Sequence, residues 1–168
     1  MEQRHAKERD LSSRLVLLHT FAHVLINALV FESGYGSASL RERLYVSDNP
    51  ESPMAGVLIY TTSGDSDGSM GGLVRIGNPG RIENVIRSGI EGAQWCSSDP
   101  VCMEIGETTG QGPDSCNLSA CHNCALIAET SCELFNKLLD RATIVGNTPV
   151  FSNSPLPGFF KPNMGTIY

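Results

Sequence analysis

Apolar residues recur at three- and four-residue intervals near the start of the chain, a spacing typical of an α-helix. Five of them, from Leu15 to Leu29, follow this period. We therefore predict a helix from about Leu11 to Glu32, with Asp10 as its N-cap and Gly34 just beyond its end. The opposite face of the helix is also apolar, which predicts a central helix covered on several sides.

Three further elements follow from local patterns. Ser39 and Glu42 have the spacing of a capping box, which predicts a short second helix. The β-branched and aromatic run at residues 56–62 lies between proline and glycine residues and predicts a strand. An Asn-Pro pair at residues 78–79 fits the start of a helix, because four apolar residues at helical spacing follow it as far as Ile90.

The six cysteines are unevenly distributed and suggest how the chain is divided. All of them lie between Cys96 and Cys132. Beyond residue 146 the chain has four prolines, three phenylalanines and no helical period, so we expect this segment to pack back on the domain or on a partner. The predicted division is a charged N-terminal segment, an α/β core, a cysteine-rich zinc-binding module and a Pro-rich extended tail, at residues 1–10, 11–95, 96–146 and 147–168.

Composition and charge limit the classes of protein that fit. The 168 residues are 40% hydrophobic and 18% charged, which suits one globular domain. The net charge of −6 argues against nucleic-acid binding driven by overall charge. The longest apolar run, residues 15–31, is short for a membrane span and contains two histidines and an asparagine, so a buried helix and no membrane contact are expected. The charged N-terminus does not resemble an export signal. We therefore expect a cytoplasmic protein whose reduced thiols serve metal or redox chemistry.

Four cysteines, Cys116, Cys121, Cys124 and Cys132, have the spacing C-x4-C-x2-C-x7-C. Zinc binds four thiolates at tetrahedral corners, and a C-x2-C pair can direct two sulfurs at one ion. Loops of four and seven residues are long enough to return the two outer cysteines. These four residues are the predicted metal ligands, and the predicted fold class is α/β, α-rich with a small sheet, with a C-terminal four-cysteine zinc module.

The residues around these cysteines indicate a structural zinc ion. Thr130 and Glu133 have capping-box spacing, which predicts that Cys132 lies in the first turn of a helix, where its thiolate is favoured. Four protein ligands leave no open position for a substrate. They also give the site a formal charge of −2, which Lys137 or Arg141 could relieve.

Several other residues compete for these roles. Cys96, Cys102 and His122 could replace one of the four ligands, and the first two could instead form a second, incomplete site or remain buried thiols. A redox role for the CHNC motif is less favoured, because no strand rich in β-branched residues precedes it. His19 and His23 are four residues apart and could share a metal ion. Without an HExxH pattern, and in apolar surroundings, they fit a core or interface role better.

Four segments together resemble a known bacterial family, namely LHTFAHVLINAL, GVLIYTTSGDSDGSMGGL, WCSSDPVC and NLSACHNCALIAETSCELFNKLLDRATIVG. They are similar to the C-terminal region of DrmB, the helicase-associated subunit of DISARM phage-defence systems. They also resemble the zinc-binding domain of MrfA-type DNA-repair helicases. The resemblance covers about residues 15–146, and its most specific part is the order ACHNC, ETSCE and LDR. DrmB-type proteins are several times longer, so a separate small subunit or part of a split protein is expected.

The resemblance implies a non-catalytic accessory subunit with structural Zn²⁺ held by the last four cysteines. Its expected partner is a superfamily-two helicase subunit of the DrmA type or a larger DrmB-like chain, with DNA engaged through the complex. The chain has no Walker motif of its own. The alternatives are enzymes: a thiol oxidoreductase that uses CHNC, or a metal-dependent nuclease that uses the histidines and the acidic GDSDG loop.

Overall fold

The computed structural model describes residues 11–62, 71–104, 109–147 and 157–160. Five α-helices and a two-stranded sheet occur in this part of the chain, which confirms the predicted α-rich fold with a small sheet. The elements, in chain order, are α1 Ser13–Ser33, β1 Leu40–Ser47, β2 Met54–Thr61, α2 Gly71–Ile76, α3 Ile82–Gly92, α4 Val101–Glu104 and α5 Ala142–Val145. Short 3-10 helices lie at Pro113–Ser115 and Glu129–Ser131.

Helix α1 is the central element of the fold. It begins after Ser12, whose hydroxyl accepts a hydrogen bond from the Leu15 N–H at 3.2 Å, whereas the predicted N-cap Asp10 lies outside the described residues. Gly34 ends the helix, as predicted. Its φ is positive, at 74°, and its N–H donates a hydrogen bond to the Val30 carbonyl. Among the described residues, α1 alone is long and apolar enough to cross a membrane. A core helix meets the same criterion, and α1 packs against both strands, α2, α3 and α5.

Strands β1 and β2 form an antiparallel hairpin that packs on α1. β2 confirms the predicted strand, with its bounds shifted by one or two residues. The predicted short helix at Ser39 and Glu42 is wrong, because Ser39 lies in the turn before β1 and Glu42 lies in β1 itself. Leu40, Glu42 and Leu44 alternate with more exposed positions, so they point toward the core with the two-residue period of a strand. This period places the Glu42 carboxylate against α1.

Helix α3 confirms the predicted helix but begins later than the Asn-Pro pair suggests. The carbonyl of Asn78 accepts hydrogen bonds from the N–H groups of Arg81 and Ile82, so residues 78–81 form a turn that leads into the helix. Gly89 allows α3 to approach α1 closely, since a Cβ atom there would lie 3.2 Å from a methyl carbon of Val24. The loop at residues 63–70 lies outside the described residues.

Residues 109–141 contain little regular structure, and buried side-chain amides hold their backbone together. Asn136 accepts a hydrogen bond from the Ile127 N–H and donates one to its carbonyl, at 3.0 and 2.9 Å. Asn117 similarly bridges the backbone of Asn136 and Leu139. The hydroxyl of Thr20 on α1 accepts a hydrogen bond from the Asp140 N–H at 2.9 Å. These bonds attach the segment directly to the central helix.

The described part of the C-terminal tail packs back on the domain. The N–H groups of Phe159 and Phe160 donate to the carbonyls of Thr143 and Ile144, at 2.9 and 3.1 Å. The Phe160 ring stacks on Phe21 of α1, with 5.6 Å between ring centroids. The remaining tail residues, 148–156 and 161–168, lie outside the described residues.

Replacing Phe160 by alanine should lower the free energy of unfolding by about 1–2 kcal/mol, because it removes a half-buried ring and its stacking on Phe21. Phe159→Ala is the matched control. Its ring is 68% exposed, so its removal should change stability by less than about 0.5 kcal/mol. Urea denaturation followed by circular dichroism measures both. Equal effects of the two substitutions would contradict the packing role of Phe160.

Candidate metal centre

Four cysteine sulfurs converge between two short segments of the chain. Cys96 and Cys102 come from the segment that follows α3, and Cys121 and Cys124 come from a later turn. The Sγ atoms of Cys96 and Cys121 are 3.5 Å apart, and Cys124 lies 3.8 Å from both Cys102 and Cys121. All four sulfurs lie within 4.8 Å of one another. Tetrahedral zinc with Zn–S bonds of about 2.3 Å places its sulfurs about 3.8 Å apart, so the cluster fits one zinc ion.

Local hydrogen bonds position both pairs of thiols. The Cys96 N–H donates to the Asp99 carboxylate at 2.9 Å, which closes the turn that leads to Cys102. In the second pair, the carbonyl of Cys121 accepts hydrogen bonds from the N–H groups of residues 124–126. The Cys121 N–H also donates to the sulfur of Cys124 at 3.3 Å. Donors aimed at sulfur stabilise the thiolate, which is the form that binds metal.

Arg141 supplies a positive charge behind the cluster. Its side chain is fully buried and donates to the Asp99 carboxylate at 2.6 Å and to the Ala93 carbonyl at 3.0 Å. Burial alone would lower the pKa of Arg141, but the hydrogen bond to Asp99 and the charge of Asp99, with smaller contributions from Cys124 and Cys102, raise it overall. Arg141 can therefore offset the formal charge of −2 of a four-thiolate zinc site. Lys137, the other predicted cation, instead pairs with Asp114.

The thiols also alter one another's ionisation. A hydrogen bond from Cys124 is the main cause that lowers the pKa of Cys102 to about 5, against the opposing effect of burial. The same bond raises the pKa of Cys124, which keeps its proton. Gln111 contributes by donating to Cys102, with 3.6 Å between Nε2 and Sγ. Of this hydrogen-bonded pair, Cys102 is therefore the thiol whose ionised, metal-binding form its surroundings favour.

The structure groups the cysteines differently from the sequence prediction. Cys121 and Cys124 lie in the cluster, as predicted. The other two thiols of the cluster belong to Cys96 and Cys102, two of the alternatives named above, and not to Cys116 and Cys132. Cys116 is exposed, and its sulfur lies 3.5 Å from the carbonyl of its neighbour Asp114. His122, the other alternative, is also exposed. We accordingly replace Cys116 and Cys132 in the proposed ligand set.

Cys132 lies away from the four-cysteine cluster because the predicted helix does not begin at Thr130. The Glu133 carboxylate, which would complete the capping box, instead accepts a hydrogen bond from the Leu44 N–H at 2.8 Å and pairs with Arg43 at 3.2 Å. Cys132 has extended backbone angles. Positive φ angles then turn the chain at Phe135, Asn136 and Leu138. The resulting path directs the Cys132 sulfur toward α1.

There, Cys132 meets three buried side chains that sequence patterns do not connect, namely His19, His23 and Glu42. Burial and the Glu42 charge raise the pKa of Cys132 to about 12. Burial alone would raise the pKa of Glu42, but the neighbouring imidazoles of His19 and His23 lower it to about 2. Burial is the main cause that lowers the pKa of His23. The only sequence signal for this group is the four-residue spacing of the histidines.

Comparison with known proteins agrees with a metal-binding domain. The chain is similar to the DISARM protein DrmB of Bacillus paralicheniformis, with 45% identity over 130 residues. This match covers 77% of the chain but only 22% of the relative, so the chain spans about a fifth of that protein's length. Residues 21–125 match the family model of the MrfA Zn-binding domain, and this range includes all four clustered cysteines.

The family match and the geometry of the cysteine cluster confirm the prediction that the chain has a structural Zn²⁺ site. The family match and the 45% identity to DrmB also confirm the resemblance on which that prediction partly rested. By its match over residues 21–125, the chain belongs to the MrfA Zn-binding domain family.

Proposed function

We propose that this chain is a non-catalytic, zinc-stabilised accessory part of a DISARM-type anti-phage defence complex. In this proposal it partners a superfamily-two helicase of the DrmA type, or a larger DrmB-like chain, and assists DNA engagement. The observation that carries the proposal is the convergence of four thiols at tetrahedral spacing, because four protein ligands leave the ion no position for a substrate. The similarity to DrmB supports the defence setting.

The proposed zinc ligands are Cys96, Cys102, Cys121 and Cys124. Zinc bound here would join the segment that follows α3 to the turn at residues 121–124, two parts of the chain that no β-ladder connects in the described structure. Structural zinc sites typically contribute about 10–16 kcal/mol of binding free energy. That is enough to hold a segment with little regular structure in one conformation.

A groove between α1 and α3 supports contact with a partner chain. Its volume is about 500 Å³, and its rim carries two large side chains that are mostly exposed, Phe31 at 89% and Trp95 at 71%. Clustered exposed apolar groups often mark interaction sites, and buried tryptophans frequently dominate interface energies. The groove also borders Cys124, so a partner bound there would touch the zinc-bearing turn.

DNA engagement is proposed to occur through the complex. The net charge of −6 gives the chain no overall attraction for phosphates. Arg43 is paired with Glu133 on the surface, which reduces its availability for a DNA backbone. A helicase partner would then supply most of the nucleic-acid contacts.

The enzymatic alternatives are less well supported by the geometry. An oxidoreductase needs a pair of thiols that can form a disulfide, whereas Cys121 and Cys124 share their surroundings with two further thiols at metal-binding distances. A nuclease needs metal ligands that a phosphodiester can reach, whereas His19 and His23 are fully buried. The acidic loop that the nuclease hypothesis also requires lies outside the described residues.

Cys102→Ser should remove one equivalent of zinc per chain and lower the melting temperature, because a hydroxyl is a much poorer zinc ligand than a thiolate. Cys116→Ser is the matched control and should retain both metal and stability, because Cys116 lies outside the cluster. Mass spectrometry of the metal content and thermal denaturation measure the two effects. Zinc loss in Cys116→Ser but not in Cys102→Ser would instead favour the ligand set predicted from sequence spacing.

Replacing Phe31 and Trp95 together by serine should weaken binding to a co-expressed DrmA-like helicase subunit or larger DrmB-like chain by about 30-fold, the effect of losing an aromatic hot spot of about 2 kcal/mol. Zinc content should not change. Val74→Ser is the control, since Val74 is 75% exposed on α2 and does not line the groove. Biolayer interferometry with each purified partner gives the affinities. Unchanged affinity for both partners in the double variant would exclude the groove as the docking surface.

A further inference from the structure

A second group of potential metal ligands lies between α1, β1 and the segment after Ser131. The Nε2 atom of His19 is 3.2 Å from the Cys132 sulfur and 3.1 Å from the Glu42 Oε1 atom. The Nε2 atom of His23 is 3.3 and 3.5 Å from the same two atoms. A tetrahedral zinc ion with these donors has N···O and N···S separations of about 3.4 and 3.6 Å. The four donor atoms thus have the spacing of a coordination shell.

Hydrogen bonds alone do not account for this arrangement. The Nδ1 atom of His23 lies 2.7 Å from the Ala125 carbonyl, which can only accept, so Nδ1 carries a proton. In a neutral ring the Nε2 atom then presents a lone pair toward the Oε1 atom of Glu42, 3.5 Å away, and a carboxylate oxygen has no proton to donate to it. Lone pairs that face one another repel unless a cation lies among them. A bound metal ion satisfies all of these atoms at once.

The surroundings of the four side chains resemble the outer shell of a metal site. The N–H groups of Leu134 and Asn136 donate to the Cys132 sulfur, at 3.4 and 3.1 Å. The Glu133 N–H donates to the Oε1 atom of Glu42 at 3.1 Å. Such bonds orient ligands and stabilise their charged forms. The other carboxylate oxygen of Glu42 is buried and has no hydrogen-bond partner among the described residues, which leaves it free to complete bidentate coordination.

We propose that His19, His23, Glu42 and Cys132 bind a second zinc ion. Two imidazoles, one carboxylate and one thiolate form a mixed donor set that suits zinc. All four side chains are buried, so the ion is structural and excluded from solvent. A divalent ion with one thiolate and one carboxylate is electrically neutral overall, which reduces the cost of burying the site. The four-thiolate site, by contrast, needs the positive charge of Arg141.

The position of this site indicates what it stabilises. His19 and His23 come from the central helix, Glu42 from the hairpin, and Cys132 from the irregular segment that follows the four-cysteine cluster. Zinc at this point crosslinks three parts of the chain that are distant in sequence, and it anchors the irregular segment to the core independently of the first site. The proposal does not depend on a role in defence.

The decisive measurement is the zinc content and zinc X-ray absorption spectrum of the full chain purified without chelator. Two sites predict two zinc ions per chain and a combined shell of five sulfurs, two nitrogens and one or two carboxylate oxygens. One zinc ion with a shell of sulfur alone would overturn the proposal. This test needs no substitution, so it holds even if variants of the buried site fail to fold.

Two substitutions then assign the ions to the sites. Cys132→Ala should reduce the zinc content from two to one and leave a spectrum with sulfur ligands only. Cys102→Ser should also leave one zinc ion, but with mixed nitrogen, oxygen and sulfur ligands. Cys116→Ser should retain both ions. If Cys132→Ala keeps two zinc ions and an unchanged spectrum, the proposal is wrong, while the four-cysteine site and the proposed accessory role are unaffected.

Discussion

The convergence of four sulfurs within 4.8 Å is the constraint on which the C-terminal part of the fold depends. Thiolates held this close repel one another unless a cation lies among them. The described residues between 96 and 146, which exclude 105–108, include two α-helices of four residues each, so helices and strands contribute little to their conformation. Individual side-chain contacts must therefore hold this segment in place. Bonds between zinc and cysteine sulfur are the strongest contacts of this kind that the chain can form.

Buried polar side chains extend the same principle away from the sulfurs. Asn117 and Asn136 pair with backbone groups as a neighbouring strand would. Asp99 links the Cys96 N–H to the guanidinium of Arg141. Each such group is costly to bury without a partner. The segment thus reaches a unique conformation through the satisfaction of individual polar atoms, whereas α1 and the hairpin reach theirs through periodic apolar burial.

This difference explains which features the sequence could predict. Helices α1 and α3 and strand β2 follow from periodic burial, and the C-x2-C pair follows from local ligand spacing. The fold class and the use of zinc were therefore accessible. The choice of Cys96 and Cys102 over Cys116 and Cys132 depends on a chain path between residues 102 and 121 that no period encodes. Proximity in sequence instead favoured Cys116 and Cys132.

The capping-box spacing predicted a helix start at two places where the structure has none, for a related reason. Glu42 and Glu133 each have the position of a capping glutamate, but both carboxylates bind groups distant in sequence. Glu42 faces the histidines of α1, and Glu133 accepts a hydrogen bond from the backbone of β1. A local pattern carries no information on such tertiary contacts, which compete with the helix start for the same carboxylate.

Arg141 links two parts of the structure, one through its side chain and one through its backbone. Its guanidinium lies behind the four sulfurs, and its backbone is the N-cap of α5, whose Thr143 and Ile144 carbonyls hold Phe159 and Phe160. Emptying the sulfur site would change the charge that faces Arg141 and leave Asp99 as its ion-pair partner, so the start of α5 would have a different electrostatic environment. We therefore expect the packing of Phe160 against Phe21, at the described end of the tail, to depend on whether the sulfur site holds a metal ion.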